Sequence, residues 1–195
     1  MIILGSKLLN APIMSLQTGT EIASTERALI DPEDLTVAGY DLTGPLIRGD
    51  VGTFVRLADV RELSDLGFIV DSIDELIKPS DVMKVEALHS LGFELLKIDV
   101  KDEKRKKLGK VVDYTLETGG FVIQQLTVRR PLIHSLNDTE LVIHRSQIIE
   151  ITKDCIVVHS EAKIPEPSRS EVPGAYVNPF RKSRTAPESE LSDNR

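Results

Sequence analysis

The sequence has very little cysteine, few aromatic residues and no long apolar run. Its 195 residues include one cysteine, Cys155, no tryptophan and only 4% aromatic residues. One cysteine forms neither an internal disulfide nor a thiolate zinc site, so the disulfide scaffolds of secreted proteins are excluded and a reducing, cytoplasmic location is expected. The longest uncharged stretch, residues 8–20, has 13 residues, whereas a membrane-spanning helix needs about 20. Residues 1–16 also lack the basic start and continuous apolar segment of a signal peptide, so none is expected.

The sequence also lacks an excess of positive charge and the short motifs of common catalytic sites. Its net charge is −7, which argues against a nucleic-acid-binding coat over the whole molecule. Residues 1–80 carry 13 acidic and 6 basic side chains, so the acidity lies in the first part of the chain. Because there is no phosphate-binding glycine loop, dinucleotide fingerprint, nucleophile elbow or metalloprotease motif, we expect no enzyme activity, no catalytic residue and no cofactor.

The residues that most often carry chemistry are scattered along the chain. Cys155 lies in an apolar run, which is typical of a small buried thiol. Asp31, Glu33 and Asp34 form a short acidic cluster that we interpret as a solvated turn, with a divalent-ion site as the alternative. The histidines have no metal-ligand spacing, so no metal site is expected among them: His89, His134, His144 and His159.

What the sequence does contain is an internal duplication. At an offset of 88 residues, the apolar positions of residues 53–70 align with those of residues 141–158. The offset becomes 90 near the start of each copy, where Gly19 aligns with Gly109, and 86 between these blocks, where Tyr40 aligns with Leu126. A pattern that repeats in this way indicates two copies of one structural unit.

Within each copy the apolar residues recur with a period of two in short segments bounded by turn residues. This pattern predicts antiparallel strands that close into a small barrel. The dipeptide Gly119-Gly120 predicts a hairpin turn in which a positive φ costs little. The apolar phase slips at Gln124-Gln125 in the second copy and at Ala38-Gly39 in the first. Because one extra residue reverses the faces of a strand, we predict a β-bulge at both places.

A single helix is predicted between the copies, over residues 79–92. Pro79-Ser80 offers an N-cap and Gly92 a stop after the last turn. The helix has an apolar stripe through which we expect it to pack against one or both barrels, made of Val82, Val85, Leu88 and Leu91.

The last segment, residues 163–195, is predicted to be disordered. It holds half of the ten prolines and too little apolar surface to offset the entropy of ordering it. Its only two aromatic residues lie within residues 176–182, which we interpret either as a patch without a role or as a motif that docks on a partner or on the chain's own barrel. The candidate docking residues are Tyr176, Asn178, Pro179, Phe180 and Arg181.

Several of these segments together resemble the PRC-barrel domain family. The resemblance covers about residues 3–162 in two copies, and it lies in diffuse motifs: Gly5–Leu9, Gly19 and Leu29–Glu33 in the first copy, and Lys107–Asp113, Glu117–Gly120 and Cys155–Val158 in the second. In such a barrel Gly19 and Gly109 would occupy tight turns, and Asp31-Pro32-Glu33 would start a turn. The family implies a small all-β barrel that serves as an interaction platform without enzymatic activity. It includes barrels of the photosynthetic reaction-centre H subunit and of the ribosome maturation factor RimM.

One basic run stands out in the second copy, at residues 101–107 and Lys110. The matching stretch of the first copy, residues 11–17, carries no charge, so the fold does not require it. We interpret it as a solvated hairpin tip, with a contact for RNA phosphates or an acidic partner as the functional alternative. The candidate contacts are Lys104, Arg105, Lys106, Lys107, Lys110, Arg129 and Arg130.

These observations predict an all-β protein of two tandem small antiparallel β-barrels. The expected division is an acidic PRC-barrel-like repeat at 1–78, a linker helix at 79–92, a second repeat at 93–162 and a disordered tail at 163–195. The expected function is that of a non-enzymatic adaptor or scaffold that binds a protein partner through barrel rims and tail. The alternative is an RNA- or ribosome-associated factor that uses the basic hairpin at 101–110. The partner and the oligomeric state stay open, since exposed strand edges also allow self-association.

Overall fold

The computed structural model describes residues 1–47, 53–130 and 140–159, all within one compact unit. They form an almost entirely β structure with a single α-helix, α1 (Met83–Leu91). The strands are β1 (Ile2–Leu4), β2 (Pro12–Ser15), β3 (Thr20–Asp31), β4 (Thr36–Thr43), β5 (Phe54–Arg56), β6 (Glu62–Ser64), β7 (Gly67–Val70), β8 (Leu76–Ile77), β9 (Asp99–Asp102), β10 (Lys107–Glu117), β11 (Val122–Arg129), β12 (Glu140–His144), β13 (Ile148–Ile151) and β14 (Cys155–Val158). The predicted tail at 163–195, with its docking residues, lies outside the described residues.

The same strand order occurs twice. The first copy runs β6-β7-β2-β3-β4-β5 and the second runs β13-β14-β9-β10-β11-β12. A short 3-10 turn follows the fifth strand and the twelfth strand alike, at Leu57–Asp59 and Arg145–Gln147. The β-rich class and the repeated pairing agree with the sequence.

Two pairings differ from the antiparallel arrangement that the sequence predicted. β2 runs parallel to β7, and β9 runs parallel to β14. In each copy a later strand, β7 or β14, returns beside an early strand in the same direction, so the sheet is mixed. Apolar alternation reports which face of a strand is buried and carries no information about strand direction, which is why the pattern missed these two pairs.

The strands of the described residues form one sheet that is open rather than closed. The copies are connected at two places: β1 pairs antiparallel with residues 115–117 of β10, and β4 pairs with β11 through one residue pair, Thr36 with Val122. Two further backbone bonds support the junction: Val37 N–H donates to the carbonyl oxygen of Phe121 (3.0 Å), and Ile123 N–H to that of Leu35 (2.9 Å). The two separate barrels stay a prediction, as do the boundaries drawn at 78, 92 and 162.

The larger hydrophobic core contains residues of both copies. Tyr40, Val55 and Phe68 of the first copy belong to the same buried cluster as Tyr114 and Leu126 of the second. The rings of Tyr40 and Phe68 lie 5.3 Å apart between centroids. Because the apolar faces of both copies meet, each covers surface that the other would otherwise expose to water.

Both predicted β-bulges are confirmed. The register between β10 and β11 skips Gln124, and the register between β3 and β4 skips Ala38. The extra residue lets Ile123 and Leu126 both face the core although their spacing is odd.

Other bulges show where the alignment of the copies needed correction. β3 has extra residues at Ile22 and Glu26, and β10 has them at Leu108 and Val112, so the offset is 86 here rather than 90. Gly109 therefore does not occupy a tight turn like that of Gly19, whose φ is +66°. It lies inside β10, where an added Cβ would come within 2.2 Å of the carbonyl oxygen of Arg129.

The hairpin turn after β10 also differs in detail. The residue with positive φ is Phe121 (+51°), whereas Gly119 and Gly120 do not use that region. Leu35, its counterpart 86 residues earlier, has φ +56°. The two copies thus share a left-handed residue before the strand, and the glycines misled the sequence prediction because their freedom is not needed at their own positions.

The linker helix is present but begins later than predicted. A 3-10 turn spans Pro79–Asp81, and α1 starts after Val82 without a side-chain cap, so Ser80 is not its N-cap. Gly92 ends the helix with φ +56°, as predicted. Val85 and Leu88 are buried against Leu29 and Phe54 of the first copy. Leu91 is half exposed and does not belong to the buried stripe.

Candidate functional site

Five of the seven predicted basic residues lie on the hairpin of β9 and β10, and Arg129 and Arg130 lie at the end of β11. Residues 103–106 form its turn, in which Arg105 adopts φ +62°. Asp102 is only 5% exposed, and its Oδ1 accepts a hydrogen bond from the backbone N–H of Lys106 at 2.8 Å. This carboxylate is part of the turn, so its presence in the basic run has a structural reason.

The fold brings the two basic segments of the sequence together. Lys110 of β10 pairs directly with Arg129 of β11. Lys107 pairs with Lys101 across the β9–β10 hairpin. Arg130 lines a small cavity beside His159, whose Nδ1 is hydrogen-bonded to a carboxylate oxygen of Glu103.

Carboxylates from other strands balance much of this positive charge. Lys107 Nζ and Lys110 Nζ lie 2.9 Å and 3.0 Å from Oδ1 of Asp99. The hydrogen bond from Lys107 holds the pKa of the Asp99 carboxyl below its ordinary value. Arg105 faces Glu150 at 3.9 Å.

Arg129 is balanced in the same way, and the turn lysines are not. Arg129 lies 3.7 Å from a carboxylate oxygen of Glu140. Lys104 and Lys106 are exposed and make no ion pair with the described residues. Among the described residues, the unbalanced part of the basic run therefore consists of these two lysines at the tip and Lys101 on β9.

A larger cleft, of about 710 Å³, lies at the helix and β3–β4. Its rim is a charged network that the sequence did not indicate: Arg27 Nε donates to Asp41 Oδ2 at 2.9 Å, and His89 Nε2 lies 2.9 Å from Asp41 Oδ1. Glu94 lies 3.8 Å from Arg27. Arg27 and Asp41 are cross-strand neighbours, a relation that only the strand register reveals, so no local motif could have identified it. Much of the remaining lining is apolar, and it includes the ring of Tyr114.

A second concave surface, of about 320 Å³, lies between the turn after β3 and strand β13. Pro32 and Leu35 of the first copy face Ile148, Ile149 and Ile151 of the second. We call this surface the inter-copy groove. Ile149 is 48% exposed to solvent, and among the described residues β13 pairs with β14 alone.

Hydrogen bonds fix the acidic turn at one side of the inter-copy groove. Asp34 Oδ1 accepts from the backbone N–H of Thr36 at 2.9 Å and from its hydroxyl at 2.6 Å. Partial burial opposes ionisation, but these bonds lower the pKa of Asp34. Arg145 Nη2 donates to the backbone oxygen of Asp34 at 3.1 Å.

Asp31 departs from the expected solvated turn. Its side chain is buried, and Oδ1 accepts a hydrogen bond from the backbone N–H of Glu33. Lys84 Nζ of α1 lies 3.3 Å from its Oδ2. The acidic cluster is therefore used by the turn itself, as Asx side chains commonly are.

Comparison of the sequence with protein-family models gives no match, and a search of curated proteins likewise finds none. Within the described ranges, no three His, Cys, Asp or Glu side chains are grouped so that they could hold a metal ion. The one α-helix of the described part is too short to cross a membrane. Cys155 is buried, as predicted.

Proposed function

We propose that this chain is a non-enzymatic protein-binding adaptor of the PRC-barrel kind, with two repeats that share one core. The repeated strand order and the bulges at matching positions support the duplication. The inter-copy groove and the neighbouring edge of β13 are the proposed contact surface, and the tail residues 176–181 are a second proposed contact.

One observation carries the proposal: Ile149 is half exposed on a strand that, within the part of the chain that the structure describes, pairs on one side only. An edge strand offers unpaired backbone groups to an incoming strand, and an apolar side chain beside a groove gives such a contact a buried anchor. The groove supplies Pro32 and Leu35 as apolar walls. An extended segment of a partner protein fits this chemistry.

The corresponding position of the first copy supports a specific role for Ile149. At the offset of 88 residues, Ile149 corresponds to Arg61, which forms an ion pair with Asp71 at 2.7 Å. Arg61 lies directly before β6, and this place in the copy is thus compatible with a solvated charge. An exposed isoleucine is not required by the fold, which makes it a candidate for recognition.

A pull-down with the full-length chain tests this proposal. The test variant is Ile149→Glu, and the matched control is Leu66→Glu, which places the same charge at an apolar residue that is 67% exposed in the turn between β6 and β7. The wild type and the control should retain a stoichiometric partner, and the test variant should lose at least about tenfold of it, as expected for a central apolar anchor. Equal recovery by all three proteins, or no stoichiometric partner with the wild type, would contradict the proposal.

The alternative function, as an RNA- or ribosome-associated factor, depends on the tip of the basic hairpin. Lys104 and Lys106 support it because no carboxylate of the described residues balances them. The ion pairs at Asp99 reduce its support, because phosphate contacts would have to compete with them. This alternative predicts salt-sensitive co-sedimentation with ribosomal particles that is lost in Lys104→Glu/Lys106→Glu and kept in Lys7→Glu. If the wild type does not sediment at low salt, the alternative is wrong.

A further inference from the structure

The inter-copy groove has apolar walls and a rim with more carboxylates than cations. Its lining contains three carboxylates, those of Glu33, Asp34 and Glu150, and one guanidinium, that of Arg145. Glu33 and Asp34 are exposed in the turn after β3, and the side chain of Glu150 is half exposed on β13. The lining therefore has two negative charges in excess.

The cations around the groove compensate this charge only in part. Arg145 Nη2 donates to the backbone oxygen of Asp34, and Lys84 is ion-paired with Asp31 at 3.3 Å. Arg105 lies 3.9 Å from Glu150, and both side chains are more than half exposed, so this is a weak surface pair. Among the described residues Glu33 makes no ion pair.

The fold does not require acidic side chains in this turn. At the offset of 86 residues, the dipeptide Glu33-Asp34 corresponds to Gly119-Gly120 in the second copy. Both turns lead to a residue with positive φ before the next strand, +56° at Leu35 and +51° at Phe121. Because the backbone makes the turn with or without carboxylates, their charge in the first copy is a candidate for recognition.

A β-bulge in β13 brings acidic and apolar side chains into the same groove. The register between β13 and β14 skips Ile149, which is the extra residue. Successive side chains of a regular strand point to opposite faces, yet all 4 residues of Ile148–Ile151 line the groove. The bulge re-aims these side chains, so Glu150 lines the groove together with the half-exposed Ile149.

We propose that the partner segment bound in the inter-copy groove is basic: an extended strand with an apolar side chain and two lysine or arginine side chains. This inference rests on the proposed function and adds the charge of the partner to it. The apolar side chain packs on Ile149, and the backbone pairs with the edge of β13 that the described residues leave open. The basic side chains reach Glu33 and Glu150, one on each side of the groove, through charge-assisted hydrogen bonds.

The same carboxylates select against other segments. A neutral or acidic segment would cover Glu33 and Glu150 without pairing them, and the loss of their hydration costs free energy. At Glu150 a basic side chain of the partner replaces the weak contact with Arg105. The groove therefore distinguishes partners by charge as well as by apolar contact.

Selection from a display library of random octapeptides by the full-length chain tests this inference. The test variant is Glu33→Gln/Glu150→Gln, which keeps the shape of both side chains and removes their charge. The matched control is Glu62→Gln/Asp65→Asn, which removes two exposed carboxylates of the first copy, where Glu62 corresponds to Glu150 at the offset of 88 residues. Ile149→Glu reports which of the selected peptides use the groove.

The wild type and the control should select peptides in which lysine or arginine flanks an apolar residue. A fluorescent copy of the strongest peptide should bind the test variant about five- to thirtyfold more weakly, as expected for two lost ion pairs. It should bind the wild type and the control alike.

Three results would overturn the inference. Selected peptides that depend on Ile149 but have no excess of basic residues would contradict it and leave the proposed function standing. Equal binding of a basic peptide by the wild type, the test variant and the control would contradict it too, because the attraction would then come from the net charge of the whole chain. If no selected peptide depends on Ile149, the inference and the proposed function fail together.

Discussion

Asp99 connects the basic hairpin to the stability of the protein. Its Oδ1 lies within 3.0 Å of both Lys107 and Lys110. Two ammonium groups at this distance favour the ionised carboxylate, which is why its pKa is lowered. Because these two lysines are paired with Asp99, they contribute less positive charge to a contact between the hairpin and a partner.

We predict a pH-dependent effect of Asp99→Asn. A carboxyl group whose pKa is lower in the folded state contributes stability that is present above the unfolded-state pKa, near 3.8, and is lost as the pH falls through the folded value. The variant should be less stable than the wild type at pH 6, and the difference in free energy of unfolding should shrink as the pH falls below about 4. Urea titrations at several pH values measure this. As a control, Asp65→Asn removes an exposed carboxylate that makes no ion pair in the described part, and a similar pH-dependent difference there would contradict the assignment.

For single residues, the sequence predicted where the basic side chains lie better than it predicted which carboxylates pair with them. The basic residues were expected to cluster, and they do, because β10 and β11 are neighbours in a hairpin. The carboxylates that balance them were not expected, since Glu140 and Glu150 come from strands whose placement depends on the tertiary fold. Gly109 was assigned to a turn because glycine is common there, but it is a strand residue that permits close approach of the β11 backbone.

Among the described residues, helix α1 packs on the first copy. Val85 and Leu88 pack on Leu29 and Phe54, which form a small cluster apart from the common core. At the offset of 86 residues, the second copy has Thr115 in place of Leu29. At this position the sheet of the second copy is thus more polar than that of the first.

We predict that Leu88→Ala destabilises the protein by about 2 to 3 kcal/mol, because the truncation leaves a cavity under the helix. The matched control is Leu91→Ala, at the half-exposed position of the predicted stripe. Its effect should stay within about 0.5 kcal/mol, as is usual for surface substitutions. Urea unfolding of the two full-length variants measures both values. Equal destabilisation would mean that the face buried by α1 has been assigned incorrectly.

Elements were predictable where their signal is local. The bulges at Ala38 and Gln124 change the phase of apolar residues within one strand, so the sequence alone locates them. The parallel pairs β2–β7 and β9–β14 join strands more than fifty residues apart. The residues of one strand do not indicate which distant strand pairs with it. The start of α1 was misplaced because the 3-10 turn before it uses the same proline and acidic residues that favour a helix start.

At the scale of the whole molecule, the two copies meet at buried tyrosines. Burial raises the pKa of Tyr114 to about 12, and it raises the pKa of Tyr40 further still. Both hydroxyls therefore stay neutral at physiological pH. After burial, the Tyr114 hydroxyl adds to the raised pKa of Tyr40, as expected when two hydroxyls of different copies lie close together in one core.

The two segments with the same strand order are alike in their cores and different on their surfaces. The core positions and bulges keep step, whereas Arg61 and Ile149, or Phe54 and Val142, differ in charge or exposure at equivalent places. Specific recognition is expected at surface positions that differ between two copies with the same strand arrangement. This difference concentrates the proposed contacts on the second copy.

The most direct test of the adaptor function is photo-crosslinking in cells with a photoreactive residue at position 149 and, in a matched protein, at position 66. We predict one dominant protein adduct from position 149 and none of that adduct from position 66. The same adduct from both positions, or none from position 149, would contradict the account.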